Sequence, residues 1–402
     1  MDVNAPRGLL RAFEQLEDPR MDRTKKHLLS DMVAIAICAI ICGADAWTQV
    51  VKFGRCKIEW FKTFLALPNG IPSHDTFGRV FAVLNPDAFE QCFVTWMKTL
   101  STASDGRLIA IDGKTIRRSV DTASDKAAIH MVSAWCETNH LVLSQVAVDD
   151  KTNEIKAIPE LLKLLDLDGA VVTIDAMGCQ KEIAQQIVEQ DGDYILHLKG
   201  NQGTLHQETV QLFDECLTDD CLGIAYETAS TTDKGHGRIE QRRLWATNEV
   251  AWFAERGKWK NLRSLIRVQC TRTVGDKTTS EYHYYISSLK VKSADDARTD
   301  KAATVDKVDG IAVDAATFLS YIRDHWGVEN GLHWCLDIAF ADDHRRMRKG
   351  YAAENFARLA RIALNLLKSE TSNNGGLKTK RLCCGWDHDY LLKVLTQGIK
   401  EI

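Results

Sequence analysis

The sequence predicts a mixed α/β protein, with an all-α domain at its N-terminus and a β-rich insertion in a sheet-bearing core. Three observations predict it. Two apolar, strand-like runs, Leu108-Ile109-Ala110-Ile111 and Val171-Val172-Thr173-Ile174, each end on a single carboxylate, Asp112 and Asp175. Residues 1 to about 100 carry apolar side chains at helical spacing instead. From about 203 to 312 the texture alternates like strands, with Gly-Asp and Ser-rich turns between them.

Taken in order, Leu28 to Ile41 reads as one hydrophobic helix closed by Gly43. Thr48 to Leu67 repeats apolar residues at helical spacing until Pro68-Asn69-Gly70-Ile71-Pro72 breaks it. Ser73 then caps a short helix bearing Thr76, Phe77, Val80 and Phe81, with Arg79 free to point outward. Helix, turn and capped helix is the outline of a helix-turn-helix, which makes Ser73, His74 and Arg79 candidates for DNA contact; simple helix packing is the alternative. Pro86 ends this helix and Ala88 to Leu100 forms another.

The polar stretch 101–106 is the best boundary, giving an N-terminal helical domain over 1–104. A first part of the core follows over 105–202. Strand 107–112, then Ala128 to Cys136 and His140 to Val148, read as an antiparallel meander. A helix over Ile158 to Leu165, strand 171–176, a helix over Gln180 to Glu189 and strand Tyr194 to Leu198 complete it. Three meandering strands, helix, strand, helix, strand is the element order of the ribonuclease H-like fold. In that fold the ends of the first and fourth strands are neighbours, and Asp112 and Asp175 stand at those ends.

The β-rich insertion spans 203–312, with strands at Arg238 to Ala246, Leu262 to Thr271 and Glu281 to Ser288, and a polar surface loop from Val291 to Asp314. Helical texture returns over 313–402, which completes the core. A single helix from Ala315 to Phe340 places Glu329 on its apolar face, counting by three and four from Ile322, Leu332 and Leu336. Gly327 and Gly331 leave a flat strip there for close approach to the sheet.

At 402 residues, net charge -4 and pI near 6.3, the chain can bury a large core and does not match a protein that coats nucleic acid indiscriminately, although local basic grooves remain compatible. Its twelve cysteines show no Cys-x-x-Cys pair or zinc spacing, which suits a reducing cytoplasm. No secretory signal is read, and the longest apolar run, Met32 to Ala44, is too short to cross a bilayer. A cytoplasmic protein with no membrane partner is expected.

A lone acid at the end of an apolar strand is costly to desolvate unless a cation meets it; for Asp112-Gly113 a simple strand-end turn is the alternative. Asp112, Asp175 and Glu329 together would repel one another, and one would take a proton. Two Mg²⁺ ions remove that conflict, because Mg²⁺ takes a few carboxylates and keeps its other sites for water and phosphate. Such a pair activates a water or 3′-hydroxyl on one side of a phosphodiester and stabilises the leaving oxygen on the other. His325, Glu329 and His333 fall at i, i+4 and i+8, but the Glu is not beside the first His as in the usual zinc-protease pattern.

Four stretches carry a resemblance: Ala110-Ile111-Asp112-Gly113-Lys114, Thr173-Ile174-Asp175-Ala176-Met177, His197-Leu198-Lys199-Gly200-Asn201-Gln202, and His325-Trp326-Gly327-Val328-Glu329-Asn330 with Leu332-His333-Trp334. They resemble the bacterial insertion-sequence DDE transposases of the H-repeat-associated family, and Gly70 to Phe77 resembles that family's N-terminal associated domain. The resemblance covers about residues 8 to 395. It implies a ribonuclease H-like core with a β insertion ahead of the Glu helix, Asp112, Asp175 and Glu329 as catalytic metal ligands, and two divalent ions, Mg²⁺ or Mn²⁺. It also implies double-stranded DNA, at transposon ends and target, as partner, a homodimer on DNA, and association with the nucleoid when bound. A broader transposase group carries Tyr, Arg and Lys around its catalytic Glu, where this chain has Ile322, His325 and Leu336.

Basic and polar residues near these motifs are the further DNA-contact candidates: Lys114, Arg117, Arg118, Lys199, Asn201, Gln202, Arg323, Arg345, Arg346 and Arg348. Two alternatives stay open at this point. One is a metal-dependent nuclease that cuts without joining, the other a domesticated DNA-binding protein without catalysis.

Overall fold

The computed structural model describes residues 7–100, 108–120, 127–148, 154–218, 224–235, 237–292 and 311–396. The polar boundary at 101–106, and all but the ends of the 291–314 loop, lie outside the described residues. In chain order the elements are α1 (Arg7–Glu14), α2 (Leu29–Ile41), α3 (Trp47–Cys56), α4 (Ile58–Phe61), α5 (His74–Val83), α6 (Pro86–Leu100), β1 (Leu108–Thr115), β2 (His130–Cys136), β3 (Leu141–Val148), α7 (Glu154–Lys163), β4 (Val171–Ile174), α8 (Lys181–Glu189) and β5 (Asp193–Leu198). Then follow α9 (Gly203–Thr218), β6 (Glu227–Gly235), β7 (Arg238–Thr247), β8 (Ser264–Val274), β9 (Lys277–Ser287), β10 (Lys290–Val291), β11 (Ala312–Val313), α10 (Ala315–His325), α11 (Trp334–Phe340), α12 (Ala352–Ser369), α13 (Leu377–Trp386) and α14 (His388–Thr396). The chain is thus mixed α/β with a large sheet.

Compactness divides it into two units: Met1–Ser104 with Gly113–Ala157 and Glu329–Ile402, and Asp105–Asp112 with Ile158–Val328. In the first unit α2 is apolar on all sides and accordingly buried throughout, apart from Ser30. Gly43 follows it at φ 108°, a conformation open to glycine. The helix read over 48–67 is two segments, because Lys57 leaves helical backbone (ψ 15°) and the chain re-aims Trp60 to stack on His388 at 5.3 Å.

β2 and β3 form an antiparallel hairpin, and the end of β1 lies alongside β2, where Ile116 N donates to Ile129 O at 2.9 Å. The eighteen-residue α12 is buried almost end to end, polar residues included. Its Arg358 donates from Nε to Glu90 of α6 at 2.9 Å and pairs through Nη1 with Glu354, also at 2.9 Å. Glu90 in turn accepts from Ser144 Oγ and the Gln145 backbone N of β3, both at 2.9 Å. One buried carboxylate therefore ties two helices to the hairpin.

In the second unit the strands run in the order β1-β4-β5-β9-β8-β7-β6. β1, β4 and β5 are parallel, and the rest join antiparallel. α10 covers this sheet, burying Phe318, Leu319 and Ile322 against Leu108, Val171 and Ile195. The insertion opens with a helix that the β-rich reading passed over, although Leu205, Thr209, Leu212 and Phe213 of α9 are all buried at helical spacing. β6 escaped for the opposite reason. It is rich in Thr, Ser and Asp, so its alternation of half-buried and exposed positions has no apolar signature.

The single helix expected over 315–340 is interrupted. α10 ends at His325, Trp326 is a turn, and Glu329–His333 is a π-helical segment before α11. Each position of a regular helix rotates the side chain by about 100°, so the break at Trp326 takes Glu329, three residues on, off the face predicted for an unbroken helix. Glu329 is consequently exposed rather than on the buried face, as are Trp326 and Trp334, while Val328, Leu332 and Leu336 turn inward. The flat strip is real at Gly331, where a Cβ would come within 2.7 Å of the Trp135 ring.

Candidate active site

Parallel pairing of β1 with β4 matches Ala110 to Thr173 and Ile111 to Ile174. The next residue on each strand is an aspartate, so Asp112 and Asp175 leave adjacent strands at the same level, each half-buried. Asp112-Gly113 is not a strand-end turn, because β1 runs on to Thr115. Gly113 is required by crowding instead: a Cβ there would fall 2.2 Å from His130 Nε2, whose ring faces Glu154 at 3.4 Å.

Asp175 is set by a turn of its own. Its Oδ1 accepts from Met177 N at 3.0 Å and Gly178 N at 3.3 Å. Gly178 must be glycine, since a Cβ would meet Ile174 Cγ2 at 2.2 Å. Three amides then clasp the turn's carbonyls. Asn201 Nδ2 donates to Ala176 O at 2.7 Å, Gln180 Nε2 to Met177 O at 3.1 Å, and Gln202 Nε2 to Cys179 O at 2.8 Å. The side chains read as grips on sugar or base are thus engaged in bracing the loop behind Asp175. Gln202→Ala is expected to cost about 1 kcal/mol of stability, and to lower any activity dependent on Asp175 by about tenfold or more through misplacement of the carboxylate. Thermal melting beside a rate assay separates the two effects.

His325 closes α10 against this strand pair. Its Nδ1 lies 2.9 Å from Thr173 Oγ1. Burial holds its pKa below the ordinary value, while the charge of Asp112 pulls the other way, which places the imidazole within the field of that carboxylate. Thr173 was not singled out from the sequence. The available signal was a hydroxyl two residues before Asp175, hence on the same face of an otherwise apolar strand. His197 of β5 is buried and stacked on Tyr285 at 4.8 Å. Burial, with Lys199 and the neighbouring histidines, lowers its pKa to about 3, so it is neutral at physiological pH and carries no charge toward DNA.

The cationic candidates are placed unequally. Lys114 is mostly covered and paired with Asp337 at 2.8 Å and Asp343 at 3.5 Å. Arg345 is buried, paired with Asp342 at 3.0 Å, bonded to Phe340 O and set over the Phe356 ring at 4.7 Å. Both cations, read from the sequence as DNA-contact candidates, are engaged by carboxylates within the protein. Arg323 is half-exposed and reaches Asp233 at 3.3 Å. Lys199, Arg117, Arg118, Arg346 and Arg348 are exposed, with Arg117 Nε 3.4 Å from Asp343. Ser73 caps α5, accepting from Thr76 N at 3.2 Å, while His74 and Arg79 face solvent. The fold brings His74 and Arg79 into one groove with Arg346 and Arg348, more than 250 residues later in the chain.

Two carboxylates at neighbouring strand ends are a donor set suited to Mg²⁺ or Mn²⁺, which bind one or two protein carboxylates and complete their shell with water and phosphate. Among the described residues no three His, Cys, Asp or Glu side chains stand together closely enough to hold one ion. No described helix is long and apolar enough to cross a membrane.

Comparison with known proteins gives two family matches. Residues 10–97 match the DDE_Tnp_1-associated model, and residues 103–366 match the transposase DDE domain. The chain is 39% identical over 392 residues to the "Putative transposase YncI" of Escherichia coli O157:H7, covering 96% of this chain and 94% of that one. It is 36% identical over 395 residues to the "H repeat-associated putative transposase YhhI" of Escherichia coli strain K12, covering 96% and 97%. A solved structure, a piggyBac transposase synaptic complex with hairpin DNA, aligns at 10% identity with a TM-score of 0.44, over all of this chain and 84% of that one.

Proposed function

The chain belongs to the transposase DDE family, with H repeat-associated relatives, and on that premise we propose that it cuts DNA strands at insertion-sequence ends and joins them to a target, using a ribonuclease H-like core. The observation that carries the reading is the parallel register that aligns Asp112 with Asp175. In this reading Asp112 and Asp175 supply carboxylates to two divalent ions, and Glu329, at the start of a π-helical turn, supplies the third. π-helical turns recur at functional sites because they present a side chain off the regular helical face. When bound, the ions activate the attacking oxygen and stabilise the leaving one. The chain's own part is positioning: Asn201 and Gln202 fix the Asp175 turn, and Thr173 orients the His325 ring beside Asp112. Two copies acting on paired ends belong to the same reading.

The test is incubation of the protein with end-bearing duplex and Mg²⁺ or Mn²⁺, followed by pre-cut ends with a target plasmid. Strand cleavage and joint molecules are expected. Cleavage without joint molecules would reduce the protein to a nuclease, and DNA binding without any metal-dependent product would remove catalysis altogether. Glu329→Gln is expected to lower cleavage by about 10²-fold or more, and wild-type rates in that variant would sink the assignment of the third carboxylate.

A further inference from the structure

A groove of about 670 Å³ opens on the first unit, between the start of α3, the exposed edge of α5 and the loop preceding α12. Arg79, Arg346, Arg348 and Lys349 line it, against two carboxylates, Asp45 and Asp75. All four cations are exposed, and no described carboxylate pairs with Arg346, Arg348 or Lys349. Arg79 donates from Nε to the Asp75 backbone O at 3.2 Å, which leaves the outer guanidinium nitrogens for a ligand. Asp45, by contrast, already faces Arg381 at 3.7 Å. The floor is Trp47, half-buried and stacked on Phe81 at 4.7 Å, so the groove rests on a packed aromatic cluster.

The cationic strip continues past the groove, since Arg348 Nε approaches the Arg118 backbone O at 3.5 Å and Arg117 and Arg118 are exposed beside it. Four exposed cations gathered from two distant chain segments outnumber the two carboxylates of the groove and select an anion of extended shape. Besides its charged groups and Trp47, the described residues lining the groove include only two polar side chains, Thr48 and His74, both exposed. Of the hydroxyls near it, Ser73 Oγ is committed to Thr76, through both its N at 3.2 Å and its Oγ1 at 3.0 Å. Cations outnumber these neutral polar groups by two to one, and contacts from exposed guanidinium and ammonium groups to backbone phosphates position a duplex without specifying its sequence.

We infer that this groove is a track for the phosphate backbone of duplex DNA, and that α5 acts there as a backbone clamp, not as a base-reading recognition helix. The inference rests on the transposase reading, but binding tests it without catalysis. Fluorescence anisotropy of the full chain carrying Asp112→Asn is measured on an end-bearing duplex and a scrambled duplex, each across a salt series. Replacing Arg79, Arg346, Arg348 and Lys349 together by Ala is expected to weaken both duplexes alike, by about 10²-fold near physiological salt, and to lower the slope of log affinity against log salt by about 2 to 4, near 0.9 for each phosphate no longer neutralised. Asp75→Asn should tighten both by about twofold, by removing a rim charge. A quadruple variant that melts normally and binds with unchanged affinity and slope would overturn the track, and a loss confined to the end-bearing duplex would restore base reading to α5. Failure of the unsubstituted groove to bind either duplex would count against the transposase reading itself.

Discussion

Asp112→Asn is expected to lower metal-dependent strand cleavage by about 10³-fold or more, on the order of 4 kcal/mol of transition-state stabilisation or greater, while leaving DNA affinity within a few-fold of wild type. The substitution keeps the shape of a half-buried side chain at the end of β1 and removes only its charge. Asn still accepts a hydrogen bond, but a neutral amide binds a hard cation far more weakly than a carboxylate does. Asp175→Asn should act alike, and because the amide Oδ1 can still accept from Met177 N and Gly178 N, its turn should hold. Cleavage of end-bearing duplex is followed in a Mg²⁺ titration beside a melting curve. Near-wild-type rates in a normally folded Asp112→Asn protein would end the catalytic assignment.

Arg358→Met is expected to be the most damaging single substitution to stability, at about 3 to 5 kcal/mol, because it strands a buried carboxylate. Glu90 is 3% exposed and Arg358 1%. Burial already raises the pKa of Glu90, and the charge of Arg358 is what opposes that rise. Without the guanidinium the folded-state pKa climbs further above its unfolded value. A carboxyl raised in this way binds more protons folded than unfolded, so its penalty grows as pH rises from the unfolded pKa through the folded one. The deficit relative to wild type should therefore shrink as pH is lowered from neutral toward 5 and be largest above neutral. Thermal melts across that range check it, and a loss independent of pH would show that the packing of the Arg358 stem dominates its charge.

How much of this was legible beforehand differs by element. Strands ending in Asp112 and Asp175 were readable from apolar runs alone, and the structure matched their boundaries to within a few residues. The N-cap at Ser73 was equally plain, since a hydroxyl before an apolar helical repeat satisfies an exposed backbone donor at short range. Glu329 was not, because the count by three and four presumes an unbroken helix, and the turn at Trp326 that interrupts it is set by tertiary packing. Lys114 and Arg345 looked like free cations beside a motif, yet their partners, Asp337 with Asp343 and Asp342 with the Phe340 carbonyl, are decided by folding.

By itself the sequence determined the local matters: which runs become strands, where helices start, the transposase family, and the chemistry that three acids and a scatter of arginines offer. Only the tertiary structure decided register, burial and company. It aligned Asp112 with Asp175, turned Asn201 and Gln202 into braces for a loop, withdrew Arg345 into the interior, and gathered Arg79 with Arg346, Arg348 and Lys349 around one groove. The physical reason is range. Propensity and capping act over a few residues, whereas charge pairing and desolvation depend on neighbours that the chain supplies from hundreds of residues away.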